Sequence, residues 1–226
     1  MSAAYDNSVQ AIDFAVTTIT TGSFTISGSD RAAMVCLSAV GNPGAITSMS
    51  CGGQSGSAVS GAAGDDATWW HNIYRVIAPA TGTQTASATW ANALVAMVSV
   101  ITATGCNQTT PVNNGNYAEA ASATVSVSIT STSGDLTATF SGDDLTGVVH
   151  STNQTIRLSG AEIGADTGPG TGTTNHQWTH TGAFASNVAG ANFVAAGGAA
   201  AALLPFVIGD LSGIGSPGRL FKDQLQ

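Results

Sequence analysis

Charge is what this 226-residue chain has least of: 5 Lys and Arg against 13 Asp and Glu, 8% of residues in all, where a typical soluble domain carries about 25%. Lys222 is the single lysine, and Arg31, Arg75, Arg157 and Arg219 are scattered. No basic stripe exists that could follow a phosphate backbone, and a net charge of −8 opposes one, so nucleic acid is not expected as a partner. Cysteine is scarce as well. Cys36, Cys51 and Cys106 are odd in number and far apart, which suits neither a disulfide framework nor a CxxC metal site, so they read as small buried hydrophobes. Met1–Asp6 has no basic residue leading into an apolar run, and no secretory signal is expected. The patterns GxSxG, HExxH, P-loop and GxGxxG opening a helix are missing, which argues against the familiar catalytic classes. The one long uncharged stretch, Phe184–Gly209, is mostly Ala and Gly, holds Asn187 and Asn192, and is broken by Pro205. It reads as a buried strand followed by an arm, with no membrane partner.

What the chain has instead is hydroxyl and glycine: 24 Ser, 29 Thr and 28 Gly, with 43% apolar residues spread along its length. That is enough to bury one substantial core. Apolar residues alternate or run in short blocks between Gly, Asn, Pro and Ser-Gly turns, with no sustained 3.6-residue spacing, so the chain reads as all-β. About twelve short strands are predicted, over Ala11–Thr18, Gly22–Ser27, Arg31–Val40, Ala45–Met49, Thr68–Ile77, Gln84–Trp90, Ala93–Thr102, Ala123–Thr130, Asp135–Phe140, Gln154–Ile163, His176–Thr181 and Val188–Ala196. That number suits a two-sheet antiparallel sandwich with jelly-roll-like wiring over residues 1–205. Leu94–Ile101 is apolar on both faces apart from Ser99, which predicts a strand covered from both sides and central in its sheet. Residues 206–226 mix Phe206, Leu220 and Phe221 with glycines in no regular period. They read as an extended C-terminal arm that either folds back or docks on a partner.

Trp69-Trp70 is the most specific local signal. Neighbours on a strand face opposite ways, so one indole should enter the core while the other covers a sheet edge, anchors an interface or stacks on a sugar. His176 and His180 would share a helix face, but Trp178 and the Thr-rich flanks read as a strand, where they lie about 13 Å apart. That is too far for one metal, and solvent-facing histidines are expected. Asp65-Asp66, Asp143-Asp144, Glu162 and Asp166 sit beside glycine-rich turns and read as turn residues bonding nearby amides. No catalytic residue, metal site or cofactor is expected. The sequons at Asn107 and Asn153 carry little weight without a secretion signal.

Five further stretches occur in fixed order: Ser29-Asp30-Arg31; Thr47-Ser48 with Gly52-Gly53; Tyr74 leading to Pro79-Ala80-Thr81-Gly82-Thr83; Thr89-Trp90; and Gly105-Cys106-Asn107-Gln108-Thr109-Thr110-Pro111. Their order and spacing over roughly residues 10 to 140 resemble a family of jelly-roll-like β-sandwich domains of tailed-phage virion proteins, also seen in bacterial surface proteins, with departures at Asp30, Cys106 and Asn107. The resemblance implies a non-enzymatic virion structural protein, foremost a capsid decoration (cement) protein on the head exterior, assembled in the host cytoplasm. Its partners would be the major capsid protein or other virion proteins, and a homo-oligomer is implied, with a trimer plausible on symmetry grounds. The alternatives are a tail or baseplate accessory and a host-surface carbohydrate-binding module. Trp69, Trp70, Phe206, Leu220 and Phe221 are the expected partner-binding residues.

Overall fold

The computed structural model describes residues 1–65, 68–143, 149–160, 163–181 and 186–197. The first compact unit is Met1–Ala196; the predicted arm, with Phe206, Leu220 and Phe221, lies outside the described residues. No helix occurs among them, and the fold is all-β. In chain order the strands are β1 Ala4–Thr20, β2 Phe24–Ile26, β3 Ala32–Val40, β4 Ile46–Cys51, β5 Gln54–Asp65, β6 Trp69–Ile77, β7 Gly82–Gln84, β8 Ala86–Thr104, β9 Val112–Ala120, β10 Thr124–Thr130, β11 Leu136–Asp143, β12 Val149–Ser151, β13 Thr155–Ser159, β14 Ile163–Pro169, β15 Thr173–His180 and β16 Ser186–Phe193.

The first sheet runs β1-β8-β3-β6-β5-β4, and β4 returns to pair with β8. The strands β8, β3, β6, β5 and β4 therefore form a closed five-stranded barrel. All five pairings are antiparallel. An odd ring of antiparallel pairs closes only if strand direction turns through half a revolution on the way round, and twist and bulges supply that turn. Register breaks lie in β5, between Ala58 and Ala63, and in β4, between Ile46 and Ser48. β8 closes the ring by lending one edge to two partners, Ala86–Trp90 to β4 and Ala96–Ala103 to β3.

Besides a two-stranded ribbon of β2 and β7, two more sheets follow, β13-β14-β11-β16-β9 and β10-β15-β12. Period-two alternation sorts the core among them. Ala33, Val35, Leu37 and Ala39 on β3 gather with Met49, Trp90, Val98 and Val100 from the ring strands. The opposite face of β3, with Ala32, Met34 and Cys36, meets Ala138, Phe140, Ala189, Ala191 and Phe193 from the second sheet. Trp178, Val125, Val127 and Ile129 of the third sheet close on Val188. β8 is central and covered from both sides, as the run Leu94–Ile101 predicts, and Ser186–Phe193 is the buried strand expected before the arm.

The strand reading needs several corrections. Sixteen strands are present among the described residues rather than about twelve, and β1 and β8 are long, at 17 and 19 residues. The two strands read on either side of Ala91–Asn92 are one continuous β8, and the single strand read over Gln154–Ile163 is β13 with the start of β14. β5 and β9 were not expected at all, because QSGSAVSGAAGD and VNNGNYAEA hold too few large apolar residues to show alternation.

Turn chemistry accounts for the loop residues of the five stretches, whereas Thr47-Ser48, Tyr74 and Thr89-Trp90 lie on β4, β6 and β8. Gly105 and Cys106 donate backbone N–H bonds to the carbonyls of Ser29 and Asp30, at 3.1 and 2.7 Å, and Ala80 donates to Gly52 at 3.1 Å. Arg31 Nε donates to the carbonyl of Pro79 at 2.7 Å, and Gln108 Nε2 to that of Cys106 at 2.9 Å. These loop residues thus tie turns together, which is a structural role.

Candidate functional site

β11 presents Ala138 and Phe140 to the first sheet and Thr137, Thr139 and Ser141 to the other side. β15 alternates in the same way, with Thr173, Asn175, Gln177 and Thr179 outward and His176, Trp178 and His180 inward. Matched two-residue spacing sets three hydroxyls against three rings, one to one. His176 Nε2 lies 2.8 Å from Thr137 Oγ1, Trp178 Nε1 donates to Thr139 Oγ1 at 2.9 Å, and His180 Nε2 lies 2.9 Å from Ser141 Oγ. Each of these six residues is at most 1% exposed. The expectation of solvent-facing histidines is therefore overturned: His176 and His180 do share a face, and it is interior. Burying such groups is costly unless each finds a partner, and the ladder supplies them.

Asp166, expected in a turn, stands instead on β14 and is fully buried. Its Oδ1 lies 2.8 Å from His176 Nδ1 and accepts the Thr139 hydroxyl at 2.5 Å. Thr137, His176 and Asp166 thereby have the order of a nucleophile, its base and an orienting carboxylate. Thr137 Oγ1 donates to the carbonyl of Gly168 at 2.9 Å and lies 2.8 Å from His176 Nε2, whose ring turns its Nδ1 to Asp166, so the hydroxyl must swing its one proton from Gly168 to Nε2 before the imidazole can take it. All three side chains are 0% exposed, so a substrate arriving from solution has no path to them.

A third buried histidine, His71, lies between the barrel and the second sheet. Ser38 and His71 are directly opposed on β3 and β6, with Ser38 Oγ 2.9 Å from His71 Nδ1 and Cys36 Sγ 3.6 Å from Ser38 Oγ. Burial pushes the Cys36 thiol up to about 12, so no thiolate–imidazole pair forms near neutral pH. Burial likewise raises Cys51 and Cys106 to about 12, and all three thiols are free and buried, in keeping with their reading as small hydrophobes.

Trp69 and Trp70 face opposite ways, but neither lies open to solvent. Trp69 is 2% exposed beside His71, with ring centroids 6.3 Å apart, while Trp70 is half-buried against the ring cluster. Asp65 ends β5 and Asp143 ends β11; Asp66, Asp144 and Glu162 lie outside the described residues. No group of three His, Cys, Asp or Glu among the described residues could hold a metal ion, and no described helix is long and apolar enough to cross a membrane.

A groove of about 670 Å³ opens beside β13 and β14, lined among others by Gly134, Asn153, Gln154, Arg157, Gly168 and Pro169. Arg157 Nε donates to Thr167 Oγ1 at 2.7 Å, and its guanidinium lies 3.8 Å from the centre of the Tyr5 ring. Sequence reading missed this groove and the buried ladder beside it. The signal available was the pair of spacings T-x-T-x-S and H-x-W-x-H, which share a period. No family model, curated protein or solved structure matches the chain, so its own geometry carries the functional reading.

Proposed function

We propose that this chain is a non-enzymatic structural protein of a tailed-phage virion, of the kind that decorates and cements the capsid exterior, with jelly-roll-like β-sandwich wiring. The observation that carries this reading is an exposed apolar corner on β1, the end strand of the first sheet. Phe14 is 62% exposed and Ile12 43%, at the point where pairing with β8 breaks between Asp13 and Val16. Ala15 there has φ +56°, a left-handed conformation that a residue with a Cβ adopts at some cost. Asp13 and Ala39 flank Ala96 of β8 from either side. Phe14 and Val40 are thus the next residues along, at the same end of the sheet, and Val40 is 38% exposed. A strained bulge that holds a phenyl ring out in water costs stability in the free chain and recovers it when the ring is covered by a neighbour.

The test mixes the full-length protein, and separately Phe14→Asp, with undecorated capsids of the phage that carries its gene. Saturable co-sedimentation of the wild type, weakened about tenfold or more by the substitution, is the expected result. Light scattering on the free protein reads the oligomeric state, and a chain ending at Pro205 tests the arm as a second anchor. If neither full-length protein nor variant sediments with capsids, the capsid reading falls.

A second reading, a carbohydrate-binding module, draws on the groove, whose amides and hydroxyls at Thr152–Thr155 suit a sugar. It predicts glycan binding that is lost in Asn153→Ala and untouched by Phe14→Asp.

A further inference from the structure

We propose that the Thr137 hydroxyl and the Gln154 carboxamide condense into an intramolecular ester, with His176 moving the proton and ammonia leaving through the groove. The inference goes beyond the virion reading and does not depend on it.

Register brings the two groups together. Thr137 pairs with Gly168 across β11 and β14, and Thr155 pairs with Thr167 across β13 and β14. Gln154, one residue before Thr155, therefore falls in the same cross-strand row as Gly168 and Thr137. Gly168 is the gap that lets a long side chain cross that row. A Cβ built there would lie 2.7 Å from Gln154 Cδ, closer still to its Oε1, and 3.2 Å from Thr137 Oγ1. The carboxamide and the hydroxyl thus converge on the one spot that lacks a side chain. Gln154 Oε1 is buried without a hydrogen-bond partner among the described residues, an unfavourable state for an amide oxygen. Behind Thr137, His176 Nε2 stands at 2.8 Å, with its Nδ1 held 2.8 Å from Asp166. The same interior closure that bars outside substrates leaves a built-in carbonyl as the group this nucleophile can reach.

In the reaction, Thr137 Oγ1 attacks Gln154 Cδ while His176 Nε2 takes the hydroxyl proton. The tetrahedral intermediate then collapses, the C–N bond breaks, and His176 returns the proton to the departing nitrogen. Threonine hydroxyl plus glutamine carboxamide becomes an ester plus ammonia, with no change in oxidation state. Fixed proximity supplies the rate, and dilution of ammonia, which is protonated in neutral water, draws the reaction forward. Gln154 lines the groove, which is the exit. Asp166 touches no reacting atom and acts as a positioning residue. An amide cross-link is a poorer candidate, since the one lysine, Lys222, lies outside the described residues.

The experiment is the intact mass of the denatured full-length protein, followed by peptide mapping. The expected mass is about 17 Da below the sequence mass, the weight of ammonia lost in acyl transfer. Trypsin leaves Thr137 and Gln154 on one peptide, whereas cleavage before Asp143 and Asp144 separates them, so the two resulting peptides should stay joined until hydroxylamine parts them. Gln154→Ala, at the groove, should restore the full mass and Thr137→Ser should keep the loss, so the result does not depend on a buried variant folding. Asp166→Asn should slow the loss and Asp166→Glu should restore part of the rate, because a carboxylate within reach of Nδ1 orients the imidazole toward Thr137. Full sequence mass with unlinked peptides overturns the proposal. So does an ammonia loss mapped to Asn114-Gly115, which would be ring closure at an Asn-Gly step.

Discussion

The barrel and the two later sheets solve the same packing problem with opposite chemistry. Both present alternating strands to an interior. In the barrel the inward positions are Ala33, Val35, Leu37, Val98, Val100 and Trp90, which need only to be packed. Between the second and third sheets they include Thr137, Thr139, Ser141, Asp166, His176 and His180, which need to be both packed and paired. An apolar interior tolerates changes of partner at the cost of some density. A polar interior does not, since each lost partner strands another group in a medium that cannot solvate it. The second half of the chain therefore gives up adaptability for a single arrangement of its side chains.

The largest expected effects sharpen this contrast. His176→Leu strands Asp166 and Thr137 and is expected to cost about 3–5 kcal/mol, the range for breaking a buried pair by removing one partner. Adding Asp166→Val should recover much of that loss, because an apolar pair replaces a polar one. Leu37→Ala in the barrel is expected to cost about 2–5 kcal/mol from the cavity it leaves, and no second deletion nearby should restore it. Urea unfolding of these three variants and of Asp166→Val alone decides the matter. If the double variant in the ladder is as unstable as the sum of its single changes, the ladder behaves as ordinary core and the contrast fails.

The two halves were also unequally legible. Alternation in Arg31–Val40 and Leu94–Ile101 announces buried strands directly, since large apolar side chains have one place to go. The ladder was visible only as spacing. His176 and His180 share a strand face on any reading, but a strand of Thr, Asn, His and Gln looks solvated until Asp166 and the hydroxyls of β11 arrive from some ten to forty residues away to pair with its histidines. Barrel closure was illegible for a different reason: it depends on β8 giving one edge to both β4 and β3, and pairing of one strand with two partners leaves no periodic mark. β5 and β9 went unseen because Gly, Ser, Ala and Asn make a strand through their neighbours and not through their own propensity.

A smaller effect separates the halves at their turns. Gly52 has φ +55°, and a Cβ there would sit 2.8 Å from the Ala80 amide nitrogen that bonds its carbonyl. Gly52→Ala combines a left-handed backbone with a backbone clash, so about 1–3 kcal/mol is expected, read as a lower urea midpoint. The effect belongs to the barrel, whose loops are tied by such contacts. Gly53, with φ +76° and open space around it, should lose less in the same substitution because the strain remains and the clash does not. Equal losses at the two positions would show that conformation alone, and not the tie to Ala80, holds this loop.

The smallest effect appears only in alkali. Cys36, Cys51 and Cys106 are all held up to about 12, from 9.0, chiefly by burial. Between those two values the folded chain keeps protons that the unfolded chain has released, so the folded state binds more of them. Stability therefore falls as pH rises from about 9 toward 12, and is unaffected by these thiols below that window. All three belong to the clusters built around the barrel strands, so this alkaline sensitivity should come from the first half of the chain. A triple Cys→Ala variant, weakened slightly at neutral pH by its lost volume, is expected to show a shallower decline in urea midpoint between pH 9 and pH 10.5 than the parent. Tyr74, also raised by burial, titrates in both proteins and cancels in the difference. Parallel declines would mean that the thiols reach solvent before the chain unfolds, and that the apolar clusters on the two faces of β3 are less closed than the polar interior beside them.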